Sequence, residues 1–140
     1  MSEIVLSNKT VQLISLATSI TRATIIDCII EEDRIIYVVE HGQIGIALGK
    51  KAENLEKLRN RTKKAIKFVE YSEDPKRFVR NLCKPYNVND ITLEGRNKDI
   101  AKIQVDHRDK SKLIGKGGKN INLIRTIAQR HHPLKDVQIK

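Results

Sequence analysis

The sequence repeats itself, and that restricts what it can fold into more than any other feature. Shifted by 66 residues, "IIYVVEHGQIGIALGKKAENLEKLR" (35–59) lies over "AKIQVDHRDKSKLIGKGGKNINLIR" (101–125). Val39 meets Val105, Glu40 meets Asp106, and His41 meets His107. Gly49-Lys50 meets Gly115-Lys116, Asn54 meets Asn120, and Arg59 meets Arg125. Leu48, Leu55 and Leu58 fall on Ile114, Ile121 and Ile124, so the apolar pattern survives where identity does not. A chain of 140 residues built this way has to form two copies of one small module, each with its own modest core. The expected modules are residues 1–72 and 73–140. Only "SED" stands between their elements, too short for a flexible linker, so the two are expected to pack against each other.

Both copies follow the same order of elements. The first opens with a helix over about Ser7–Ile20, capped by Ser7 or Asn8, with Leu13, Leu16, Ala17 and Ile20 at the spacing of one buried face. The second opens with "EDPKRFVRNLCKP". There Asp74 is a good N-cap, Pro75 suits the first helical position, Phe78 and Leu82 share a face, and Pro85 ends the helix. Two strands follow, at about Thr24–Ile30 and Arg34–Glu40, and at Asp90–Gly95 and Ile100–Asp106. Ala101, Ile103 and Val105 alternate with Lys102 and Gln104, as in a half-buried strand. Next come a short helix (Gln43–Leu48; Arg108–Ile114), a glycine-containing loop and a longer helix. The inner face of that helix is read as Leu55, Leu58 and Thr62, and as Ile121, Ile124 and Ala128. A last strand closes each copy, at Ala65–Tyr71 and Asp136–Ile139. Asp106 with Asp109 three residues on has the look of a cap at the start of the second short helix.

Three glycines among three lysines mark the stretch "KLIGKGGKNI" at 112–121, with the second loop, "GKGGK", at 115–119. Glycine costs backbone entropy and adjacent lysines repel, so the cluster points to an anion brought close to the main chain. Gly115 lets the preceding helix stop. The following helix turns the positive end of its dipole and its unpaired N–H groups towards the loop, with Lys116 and Lys119 beside it. The charge distribution agrees. Residues 1–70 carry 11 Lys/Arg against 9 Asp/Glu, while residues 71–140 carry 16 against 8. A basic surplus concentrated near such a loop fits a polyanion.

Other chemistries fit poorly. A nucleotide-binding P-loop needs Ser or Thr after its Gly-Lys and a preceding strand, but Asn120 follows Gly118-Lys119 and a helix precedes. A dinucleotide fingerprint fails at the same asparagine. No Ser-His-Asp set or carboxylate pair stands near the loop, so the chain is not read as an enzyme. Cys28 and Cys83 belong to no CxxC pair and are read as buried thiols. The histidines (41, 107, 131, 132) have no ligand spacing, so neither a metal nor a cofactor is expected. No apolar run is long enough to span a membrane, and "MSEIVLSNKT" has neither the basic start nor the apolar core of a signal peptide. The expected compartment is the cytoplasm, without membrane binding.

"LIGKGGKNI" resembles the signature of the KH RNA-binding domains, whose G-x-x-G loop clamps the backbone of about four unpaired nucleotides. The helix-strand-strand-helix-helix-strand order of both copies is similar to the type II KH fold. The resemblance implies an α+β protein of two tandem modules, each a small three-stranded mixed sheet with helices on one face. The nearly linkerless pair resembles the short archaeal NusA-like transcription factors. The implied site comprises Ile114, Gly115, Lys116, Gly117, Gly118 and Lys119, with Gly49, Lys50, Lys51 and Ala52 in the first copy. Ile114 and Leu48 are read as core residues that also border the groove for bases. The first loop departs from the pattern: "GKKA" has Ala52 in place of the last glycine, which keeps the N–H but resists a positive φ.

The resemblance implies a monomer that binds single-stranded RNA in transcription elongation or termination, with RNA polymerase as a further partner. Two alternatives stand beside it: a KH protein of translation or RNA processing, and a polymerase-docking adaptor with vestigial loops. The second module is expected to dominate RNA binding. The run "KLRNRTKKAIK" (57–67) reads as a solvated helix face. Arg59 and Arg125 either reach RNA or brace their helices.

Overall fold

The computed structural model describes residues 7–140, which form two compact units dividing between Ser72 and Glu73. In the first, α1 (Asn8–Thr21) is capped by Ser7, whose hydroxyl accepts from the Thr10 N–H at 3.2 Å. Such a cap contributes about 1 kcal/mol. It leads into β1 (Ile25–Ile30), β2 (Arg34–Val39), α2 (Ile44–Leu48), α3 (Glu53–Thr62) and β3 (Ala65–Glu70). The second repeats the order as α4 (Pro75–Cys83), β4 (Asp90–Glu94), β5 (Ile100–Gln104), α5 (His107–Ile114), α6 (Lys119–His131) and β6 (Asp136–Ile139). Element ends fall within two residues of the sequence reading.

Each sheet is mixed. β2 lies centrally, antiparallel to β1 (Cys28 opposite Tyr37) and parallel to β3 (Tyr37 opposite Phe68). β5 holds the same place between β4 (Thr92 opposite Lys102) and β6 (Lys102 opposite Gln138). The parallel pairing is what forces two helices between the last strands, because parallel neighbours cannot be joined by a tight turn. The fold is therefore the α+β arrangement of two three-stranded mixed sheets that the sequence implied.

The first core gathers Ala17, Ala23, Ile25, Cys28, Ile35, Tyr37, Val39, Ala47 and Leu58. The Tyr37 hydroxyl donates to the Leu13 carbonyl at 3.0 Å, which joins α1 to the central strand. Burial, with Cys28 close by, pushes that phenol well above its usual range. In the second unit, Ala101 and Ile103 of β5 are fully buried while Gln104 is exposed, as the alternation requires. Asp74 caps α4 by accepting from the Lys76 N–H at 3.0 Å, with Pro75 in the first turn. Buried Phe78 of α4 meets the rings of His131 and His132 at 5.6 and 5.4 Å. These two histidines are thus core residues at the end of α6, and both cysteines are buried thiols.

Two local readings need correction. The buried residues of α3 are Asn54 and Leu58, while Leu55 and Thr62 are only half-buried. The polar Asn54 displaces Leu55 because its amide has carbonyls to satisfy inside. Asp106 begins α5 without capping it through its side chain. Its carboxylate instead accepts from the Asn89 amide at 3.0 Å.

Candidate nucleic-acid interface

The two loops take one backbone path. At Gly49 and Gly115 the chain leaves the short helix with φ +75, ψ 179 and φ +78, ψ 168, a region essentially reserved for glycine. Lys51 (φ +54, ψ 31) then corresponds to Gly117 (φ +64, ψ 20). Ala52 (φ +56, ψ 31) corresponds to Gly118 (φ +79, ψ 12). The expectation that alanine resists a positive φ meets a structure in which Ala52 adopts one, and so does the lysine before it. Left-handed backbone costs a non-glycine residue roughly 1–2 kcal/mol. The surrounding closure between α2 and α3 imposes it here.

That closure rests on an asparagine. The Asn54 amide donates to the carbonyls of Ala47 at 3.0 Å and Ile46 at 3.4 Å, and the Asn120 amide donates to Leu113 at 2.8 Å. Each reaches back from the first turn of the longer helix to bind carbonyls that the short helix leaves open at its C-terminus. The glycine five residues earlier makes room for this. A Cβ on Gly49 would lie 2.7 Å from the Asn54 amide nitrogen, and one on Gly115 would lie 2.8 Å from the backbone nitrogen of Asn120. Sequence reasoning aligned the two asparagines and gave them no role. Their identity across the repeat, five residues after the matching glycine, was the available signal.

The loops expose donors. Among the described residues, nothing accepts a hydrogen bond from the backbone N–H of Lys50, Lys51, Lys116 or Gly117. The N–H groups of Ala52 and Gly118 turn back to the Gly49 and Gly115 carbonyls, both at 3.1 Å, and hold the path tight. Lys50, Lys51, Lys116 and Lys119 are all exposed. Neither α3 nor α6 has a side-chain cap on its N-terminus; α6 has no acid in its first turn, whereas Glu53 and Glu56 in the first turn of α3 partly offset the positive end of its dipole. Two adjacent free amides, two lysines and a helix terminus thus gather donors and positive charge at one place in each module, a chemistry complementary to an anion.

Ile114 and Leu48 end α5 and α2 half-buried, beside the loops. The fully buried residues there are Leu113 and Ala47, one position earlier, so Ile114 and Leu48 keep an apolar surface open next to the loops. Arg59 and Arg125, equivalent in sequence, part company. The Arg125 Nε lies 2.7 Å from the Asp136 carboxylate, and its guanidinium donates to the Val137 carbonyl at 2.9 and 3.2 Å, bracing α6 on β6. The Gln138 amide, the Val137 N–H and this arginine together hold the Asp136 carboxyl below its usual range. Among the described residues, Arg59 pairs only with exposed Glu56, at 3.6 Å.

Among the described residues, no group of three or more His, Cys, Asp or Glu could hold a metal, and no helix is long and apolar enough to cross a membrane.

Comparison with known proteins agrees with the architecture. The family described as "NusA-like second KH domain" matches residues 75–138, and the KH domain family matches residues 12–80. A protein of Halobacterium salinarum named "Probable transcription termination protein NusA" is 32% identical over 134 residues, covering 96% of each chain. A Thermoplasma acidophilum protein of the same name is 32% identical over 142 residues, covering 100% of this chain and 98% of its own. The crystal structure of APE1850 superposes with a TM-score of 0.78 at 33% identity, covering 96% of this chain and all of the other.

Proposed function

Because the chain belongs to the archaeal NusA family of tandem KH-domain proteins, we propose that it binds single-stranded RNA and acts in transcription elongation and termination. The observation that carries the binding is the row of free backbone amides at Lys50, Lys51, Lys116 and Gly117, flanked by exposed lysines and uncapped helix starts. Phosphates of the strand sit on these amides. Bases lie along the aliphatic border at Leu48 and Ile114, which suits unpaired nucleotides, since a duplex hides its base faces. Residues 1–72 and 73–140 act as two binding units on one strand. Loop residues Gly49 to Ala52 and Gly115 to Lys119 form the contacts. The protein works as a monomeric binding factor in the cytoplasm, without catalysis, and RNA polymerase is the natural protein partner for a factor of this family.

Titration with single-stranded and duplex RNA of the same sequence tests the reading. The single strand should bind more tightly, and affinity should fall with salt by about 0.7 log units per decade for each phosphate contact. The variant Lys116→Asp/Gly117→Asp places two carboxylates at the phosphate seat and should weaken binding about tenfold or more, equivalent to ~1.4 kcal/mol. A preference for duplex, or indifference to salt, would refute it.

A further inference from the structure

The far end of α3 carries a second concentration of charge that the loop does not use. Lys57, Arg59, Arg61, Lys63 and Lys64 fall within eight residues that contain no acid. All but Lys64 are exposed, and Arg59 meets Glu56 across 3.6 Å with both side chains about two-thirds in solvent, a pair worth little. Among the described residues, no carboxylate pairs with Lys57, Arg61 or Lys63. The surrounding acids do not cancel the cluster: Glu53 and Glu56 stand in the first turn of α3, and Glu31 to Asp33 lie in the β1–β2 turn. Glu31 is already engaged by Arg34, and Lys64 donates to the Glu31 carbonyl at 2.7 Å.

The ordinary reason for cations at a helix C-terminus is its dipole, but that end carries only about half a charge, several-fold less than these five. A cleft of about 400 Å³ opens between the last turn of α3 and the start of β3, lined by Arg59, Asn60, Lys63, Lys64 and Ala65. Its only lining residue with an apolar side chain is an alanine, and the rest of its wall is the stems of the arginine and the two lysines beneath their charged heads, with Asn60 beside them. Its chemistry is three cations and an amide, which suits phosphate and sugar oxygens. Among the described residues, the second module does not repeat this cluster of cations. There Arg61 and Lys63 are replaced by buried Ile127 and by Gln129, whose amide donates to Lys135, and the equivalent of Arg59 is tied to Asp136.

We propose that this cleft is a second backbone-binding site for RNA, particular to the first module. The proposal rests on the RNA-binding reading above and extends it. The site lies one helix length from the GKKA loop, roughly 15 Å for the ten residues of α3. A strand seated on that loop must run on along α3 to reach it, so only longer RNA engages both. The module that gave up loop glycines thus has extra charge elsewhere on the same helix.

The test compares oligouridylates of about 4 and about 12 nucleotides, the shorter matching a single loop, on the full chain by fluorescence anisotropy. The variant Arg59→Gln/Arg61→Gln/Lys63→Gln removes charge from exposed positions. It should weaken the longer oligomer about tenfold, lower its salt slope by about 2, as expected for three lost phosphate contacts, and leave the shorter within twofold. Circular dichroism melting checks that the fold is kept. Unchanged affinity for the longer RNA, or an equal loss for both lengths, overturns the proposal. The wild-type titration separates the two readings: wild type that binds no RNA refutes RNA binding itself, whereas wild type that binds and a cleft variant that binds equally well refutes only the second site.

Discussion

Replacing Gly115 by alanine should damage the second module far more than replacing Gly117, although both lie in one loop and both have positive φ. At Gly115 (φ +78, ψ 168) the backbone is in a region that costs a non-glycine residue about 1–3 kcal/mol. The new Cβ would also lie 2.8 Å from the Asn120 backbone nitrogen and 2.8 Å from its Cβ. A main-chain neighbour cannot swing aside, so the first turn of α6 must shift. That breaks the 2.8 Å bond from Asn120 to Leu113, worth about 1 kcal/mol. Alanine returns roughly 0.4–1 kcal/mol by stiffening the unfolded chain, so these contributions leave a net loss of about 1–3.5 kcal/mol, to which the shift of α6 adds. Gly117 (φ +64, ψ 20) has nothing within 4 Å of a Cβ, and Lys51 already occupies the equivalent conformation in the first module. Its net cost is left-handed strain less the same entropy, about 1 kcal/mol or below. Thermal melts read the difference directly, since each kcal/mol shifts a module of this size by about 4–8 °C. Equal losses from the two variants, or a Gly115→Ala variant within about 0.5 kcal/mol of wild type, would refute the steric argument.

The first loop gives a converse expectation. Ala52→Gly removes left-handed strain and should stabilise the first module by about 0.5–1 kcal/mol after the entropy loss, seen as a higher melting temperature; a drop would show that Ala52 carries no strain. Asp136 sets an acid limit on the second module. Its carboxyl is held below the unfolded value, so the stabilisation is present above the ordinary carboxylate pKa of about 3.9 and is lost as pH falls through the depressed one. Urea melts from neutral pH downward should show this slope, and Asp136→Asn should be weaker at neutral pH but flatter in acid; parallel curves would refute the assignment.

The number of modules, the order of their elements and the position of the loops can all be read from the chain alone. Each of these is written in local patterns: the 66-residue repeat, the period-two alternation of 101–105, the Ser7 and Asp74 caps, and glycines between two apolar stripes. The KH resemblance rested on the same local signals, because "LIGKGGKNI" encodes a turn that its own residues demand. What those patterns could not contain were the interactions made across space. Ala52 looked like a fault in the first loop, because intrinsic preference opposes a positive φ; the closure held by Asn54 overrides it, and the two loops share one path. Arg59 and Arg125 were indistinguishable along the chain. Only the strand beside each helix decides between them: Asp136 and the Val137 carbonyl capture one, while the other remains in solvent with its neighbouring cations. The buried histidines at 131 and 132 and the asparagine ties belong to the same class. Propensity and periodicity act between neighbours in sequence, whereas the satisfaction of a buried carbonyl or a carboxylate depends on which groups the fold brings within about 3 Å.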